Sequence, residues 1–112
     1  MNSDCLFCRI VEGSIPVAIV EETEGSVAFR DINPQAPTHV LLIPRRHVES
    51  LNEVDDAQMM GDLVRLAQVV AAREGLGDGW RLVTNVGKDG GQTVYHLHLH
   101  LLGGRRMGWP PG

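Results

Sequence analysis

Residues 94–102 read VYHLHLHLL, and an alternation of this strictness is the signature of a β-strand. Successive strand residues point to opposite sides of a sheet, so His96, His98 and His100 form one row, spaced about 6.6 Å apart. Leu97, Leu99 and Leu101 then face the other way, toward a core. Three imidazoles in register either bind a metal or hold and attack an anionic phosphorus centre. The preceding Gly90, Gly91, Gln92 and Thr93 favour the second chemistry. A glycine turn lets backbone N–H groups approach a phosphate, and the Thr93 hydroxyl donates another bond.

The rest of the chain supplies a sheet for that strand to join. Residues 5–11 read as a short helix ended by Gly13 and the Ile15-Pro16 pair. VAIVEE (17–22) and SVAFRD (26–31) flank Thr23, Glu24 and Gly25 as a hairpin, and DINPQAP (31–37) is a loop. His39 to Ile43 predicts a third strand. Past Asp55 or Asp56, either a plausible N-cap, the residues Ala57, Met60, Val64, Ala67 and Ala71 recur at helical spacing. That helix should stop near Glu74, with Gly75 or Gly77 in the left-handed position after it. WRLVTNV (80–86) and the histidine strand are joined by GKDGGQ (87–92). The expectation is an α+β fold: a mostly antiparallel five-stranded sheet with one long helix over one face and one short helix.

At 112 residues the chain has room for one domain, spanning 1–112, and one site. A net charge of -4 argues against a nucleic-acid polymer as partner, although one small anion needs only local positive groups. No apolar run approaches a membrane span. MNSDCLFCRIVEG has polar and acidic residues where a signal peptide needs a basic start and an apolar stretch, so a cytoplasmic location is expected.

The sequence from His96 to Leu102 resembles the His-φ-His-φ-His-φ-φ signature of the histidine triad superfamily, where φ is apolar. DINPQAPTHVLLIPRRH, GKDGGQTVYH and GGRRMGWPPG extend the resemblance to the Hint branch, the purine nucleoside phosphoramidases. The resemblance implies a homodimer with joined sheets, each subunit binding a purine nucleoside monophosphate and cleaving the bond between its 5′-phosphate and an amine. It further implies that His98 is the nucleophile, forming a nucleotidyl-histidine that water cleaves. His100 and Thr93 match phosphate-binding positions, Asn85 and Gln92 add polar contacts, and His39 orients the row or relays a proton. Asp31 matches the ribose-binding carboxylate, and Leu6, Phe7, Phe29 and Ile32 match the base pocket. Trp109, Pro110 and Pro111 resemble a C-terminal segment that reaches the partner's site, with Gly108 lacking a bulky side chain there.

Cys5-Leu6-Phe7-Cys8 is a C-x-x-C with no strand before it, which argues against a thioredoxin-type redox centre. The two thiols either pack as small apolar groups or supply half of a closed metal site. In the family resemblance, His47 and His96 complete a Cys2His2 set for structural zinc; with zinc bound His96 anchors the strand that presents His98, and without it His96 belongs to the catalytic row with His39, His98 and His100. Beside the phosphoramidase stand a dinucleoside polyphosphate hydrolase, a zinc-bearing nucleotide-binding module with little turnover, and a metal-binding scaffold. The conjunction of Asp31, Thr93, the glycine turn and the middle histidine favours nucleotidyl transfer.

Overall fold

The computed structural model describes residues 4–112; the first three residues of the N-terminal stretch lie outside it. Eight elements follow in order: helix α1 (Leu6–Val11), strands β1 (Ile19–Glu22), β2 (Ser26–Arg30) and β3 (Thr38–Pro44), a 3-10 turn (Leu51–Glu53), helix α2 (Ala57–Arg73), and strands β4 (Trp80–Val83) and β5 (Leu99–Gly103). The strands make one sheet in the order β1-β2-β3-β5-β4. All four pairings are antiparallel. This is the expected α+β architecture, with the 3-10 turn as an addition.

Local chemistry explains the boundaries. Asp56 caps α2 by accepting from the Gln58 N–H at 2.9 Å, and Gly75, at φ 72°, takes the left-handed position that ends it. Cys5 does the same for α1, its sulfur accepting from the Cys8 N–H at 3.3 Å. The predicted 5–11 helix therefore begins one residue later, with Cys5 as its cap.

β3 is buried along its whole length because both faces of the sheet are covered. Val40 and Leu42 join Ala28, Leu97, Leu99 and Leu101 against the apolar side of α2, where Leu63, Leu66, Ala67 and Val70 are buried. Leu41 and Ile43 face the opposite way and pack with Val27, Phe29, Phe7, Cys8 and Ile10 beneath α1. The leucines of the alternating stretch thus find the core expected of them. Its histidines enter a second enclosed layer rather than an open surface.

The last two strands are shorter than the sequence predicts. Thr84–Val86 leave β4, and residues 94–98 leave β5, so His96 and His98 stand outside the ladder. Other bonds hold this stretch. The Leu97 N–H donates to the Val48 carbonyl at 2.6 Å, and the Thr84 hydroxyl donates to the His98 carbonyl at 2.9 Å. The hairpin likewise starts at Ile19 instead of Val17, with a register shift between Ile19 and Glu21. No helix among the described residues is long and apolar enough to cross a membrane.

Candidate functional site

Three histidines, His39, His98 and His100, meet beside the pairing of β3 with β5. His39 pairs across the ladder with Leu102, and Leu41 with His100, which puts the two imidazoles on one face in diagonal contact. His39 Nε2 lies 2.9 Å from His100 Nδ1. The rings of His98 and His100 follow at 5.0 Å between centroids.

Each ring's proton is placed by a group whose own role is fixed. A carbonyl only accepts, so His98 Nδ1, 2.7 Å from the His96 carbonyl, carries a proton, and neutral His98 keeps its lone pair on Nε2. A backbone N–H only donates, so His39 Nδ1, 3.0 Å from the Gln35 nitrogen, is the bare nitrogen. Neutral His39 then donates from Nε2 to His100 Nδ1, leaving His100 protonated on its own Nε2. The result is a bare imidazole nitrogen on His98 beside a protonated one on His100. Asp31 adds negative charge, with Oδ2 3.4 Å from His39 Nε2 and Oδ1 accepting from the Asn33 N–H at 2.8 Å.

Burial holds these rings neutral. Desolvation pushes His39 and His98 below the ordinary histidine value, opposed by the attraction of Asp31 and, for His98, by the bond to the His96 carbonyl. His100 goes further, to about 4, because desolvation is joined by the proximity of His98 and His39. The hydrogen-bond network acts in the same direction for His39 and His100. A proton added at His39 Nδ1 would face the Gln35 N–H, and one added at His100 Nδ1 would face the proton of His39.

His96 turns away from this group into a second cluster. Its Nε2 donates to the Pro44 carbonyl at 2.8 Å, which leaves Nδ1 bare. That nitrogen lies 3.3 Å from Cys5 Sγ, 3.5 Å from Cys8 Sγ and 3.3 Å from His47 Nδ1, and Cys8 Sγ lies 3.4 Å from His47 Nδ1. Both thiols are buried and unbridged. All four donor atoms lie within 4.8 Å of one another, close enough to bind a metal ion. Tetrahedral zinc, with bonds of about 2.3 Å to sulfur and about 2.05 Å to nitrogen, sets N···S separations of about 3.6 Å and N···N separations of about 3.3 Å. The donor set fits that geometry, and the Pro44 carbonyl supplies the outer bond that aims a ligating imidazole.

The remaining residues named from sequence divide by environment. Phe7 and Phe29 are interior, 5% and 3% exposed, meeting edge-to-face at 5.8 Å. Leu6 is exposed, and Ile32 is 96% open to solvent. Thr93 is exposed and Asn85 half-buried. Gln92 is buried, and its amide is engaged within the fold. Its Nε2 donates to the carbonyls of Glu49 and Val94 at 2.7 and 3.1 Å, while Oε1 accepts from the Gly87 N–H at 3.0 Å. Gln92 thus clamps the glycine loop. Within that loop a Cβ on Gly90 would overlap the Val86 backbone. A cleft of about 370 Å³ runs along Cys5, Leu6, His47 and Thr93, joining the cysteine–histidine cluster to the loop.

Four orienting groups escape sequence reasoning: the Pro44 and Val48 carbonyls, the Gln35 N–H and the Thr84 hydroxyl. Three are main-chain atoms, which every residue type but proline carries in full. No side-chain pattern announces them.

Comparison with known proteins adds an independent line. A family model described as HIT domain matches residues 12–107. The chain is 50% identical over 114 residues to an uncharacterized HIT-like protein of Synechocystis sp., with both sequences covered in full. Its fold is similar to the crystal structure of a HIT family hydrolase from Legionella pneumophila, at 52% identity and a TM-score of 0.93, covering 96% of this chain and 99% of that one. It is also similar to a histidine triad nucleotide-binding protein from Candida albicans, at 30% identity and a TM-score of 0.84, covering 95% and 82%.

The neutral rings make stability depend on pH in a stated direction. Unfolded histidine titrates near ~6.5 and folded His100 near about 4, so between these values the unfolded chain binds the extra proton. Stability is full above pH ~6.5 and should fall as the pH drops toward 4, by up to about 1.4 kcal/mol per pH unit for each such ring. Urea unfolding at pH 7.5, 6, 5 and 4.5 should show this, and replacing His100 with Asn should flatten the slope. A slope unchanged by His100→Asn would contradict the assignment.

Proposed function

The chain belongs to the HIT domain family, and from that premise we propose that it is a nucleotide-binding hydrolase that cleaves the bond between a purine nucleoside 5′-monophosphate and an amine. The observation that carries the reading is the placement of protons. His98 Nδ1–H is held by the His96 carbonyl, so its Nε2 lone pair is available as a nucleophile, and the adjacent His100 carries its proton on Nε2. The hydrolase and nucleotide-binding descriptions of the Legionella and Candida proteins point the same way.

In this reading His98 Nε2 attacks the α-phosphorus, and the P–N bond breaks as the amine leaves with a proton taken up from water. Bonded at both nitrogens, the ring is cationic, and its charge is stabilised by the His96 carbonyl against Nδ1–H and by the nearby Asp31. His100 Nε2–H and Thr93 donate to the non-bridging oxygens, with Asn85 adding a polar contact. His39 keeps His100 in its donor tautomer. Water then attacks phosphorus, the P–N bond to His98 breaks, and the monophosphate is released with His98 restored. Asp31 holds the ribose hydroxyls, and Leu6, Phe7, Phe29 and Ile32 bound the base.

Cys5, Cys8, His47 and His96 would hold zinc, which when bound ties α1 to the segment before β5 and takes no part in the chemistry. Residues 1–112 act as a single HIT domain of a cytoplasmic enzyme that works as a homodimer. Strand β4 is an edge of the sheet, with Trp80 and Trp109 both exposed, and pairing two such edges removes unpaired backbone groups from solvent.

Four measurements test this reading. His98→Ala should retain the fold and nucleotide affinity and lose at least about 1,000-fold in kcat toward a purine nucleoside phosphoramidate. Mass spectrometry of acid-quenched enzyme should locate a nucleotidyl adduct on His98; an adduct on another residue reassigns the nucleophile. Light scattering at micromolar concentration should give twice the chain mass, and a monomer there would end the dimer proposal. Elemental analysis of protein purified without chelator should find about one zinc per chain, absent from Cys8→Ala.

A further inference from the structure

We propose that the Cys5-Leu6-Phe7-Cys8 turn is a positioning device for His98, through which closure of the four-residue metal cluster sets the orientation of the nucleophile. The proposal rests on the reading of His98 as the attacking residue. Phe7 is the residue that transmits the effect. It stands between two cluster cysteines in sequence, so anchoring both sulfurs fixes the backbone on either side of it. Its ring meets His98 edge-to-face at 5.0 Å and 86°, and meets His96 at 5.9 Å and 72°. Phe29 backs it from the sheet at 5.8 Å.

A second route runs through His96. This ring is pinned at both ends, Nε2 by the Pro44 carbonyl and Nδ1 by the cluster. The main-chain carbonyl of the same residue accepts the Nδ1 proton of His98. His96 and His98 lie outside the β-ladder, so strand pairing does not hold their backbone in place. Opening the cluster leaves the His96 ring with one anchor. It also removes an anchor from α1, only six residues long, and a helix that short has little stability of its own.

The groups that face the ribose and the phosphate, Asp31, His39 and His100, are held independently. Asp31 is fixed by the Asn33 N–H, and His39 and His100 by each other and by Gln35. Loss of the cluster therefore acts on the orientation of His98 and on kcat, and reaches the nucleotide only through Leu6 and Phe7 at the base. The cleft along Cys5 and His47 gives a chelator access to the cluster.

The experiment combines ring nitrogen NMR of His98 with turnover of a purine nucleoside phosphoramidate, in protein loaded with zinc, stripped by a chelator, and reloaded with zinc or cadmium. Loaded protein should show a single Nδ1–H tautomer. Stripping should give a mixture and lower kcat at least about ten-fold, and reloading should reverse both. Phe7→Leu, which keeps most of the core volume, should retain its metal by elemental analysis and still show mixed tautomers and reduced kcat. Identical His98 nitrogen signals in loaded, stripped and Phe7→Leu protein would overturn the proposal. If no form turns over the phosphoramidate, the enzymatic reading falls, and the nitrogen spectra still decide whether cluster and His98 are coupled.

Discussion

The bond from His98 Nδ1–H to the His96 carbonyl, 2.7 Å long and shielded from solvent, decides which nitrogen of the middle imidazole stays bare. An imidazole has two nitrogens and one proton, and its usefulness as a base or nucleophile depends on which nitrogen stays bare. Side-chain partners can change role by rotating or ionising, whereas a main-chain carbonyl cannot. The same logic fixes His96 through Pro44 and His39 through Gln35, so three of the four rings have a tautomer set by the backbone. His100 inherits its own from His39.

This arrangement needs a sheet buried on both faces. If only the α2 side were covered, the histidines would lie in water, titrate near their ordinary value and exchange partners freely. The layer beneath α1, with Phe7, Phe29, Leu41 and Ile43, supplies the low-polarity surroundings in which a single hydrogen bond decides protonation. The N-terminal segment thereby serves the fold and the chemistry with the same side chains. Cys8 and His96, both fully buried, are where those two functions meet.

Much of this was legible in the sequence. The period-two pattern placed Leu97, Leu99 and Leu101 in one layer and the histidines in the other, and the apolar spacing from Ala57 located α2 to within a residue or two. The resemblance to the histidine triad superfamily assembled Cys5, Cys8, His47 and His96 from distant parts of the chain, and the fold brings their donor atoms together. What stayed hidden has physical causes. A strand pattern does not say where the ladder stops, and here hydrogen bonds to the Val48 carbonyl and from the Thr84 hydroxyl replace it before Leu99. Likewise, a glutamine beside glycines reads equally well as a phosphate contact or as a loop clamp. Its three internal bonds show the clamp role of Gln92.

Because the hydrogen-bond partners of these rings are mostly peptide groups, those bonds survive exchange of the side chains on the residues that supply them. Exchanging the side chain at Gln35 leaves the N–H that His39 requires, with one exception, a ring closed on the nitrogen. The loop that carries this residue has prolines at 34 and 37, which stiffen it on either side, and none at 35. Substitution at position 35 is thus free where only the side chain differs, and closed at the single exchange that would erase a donor from the chain itself.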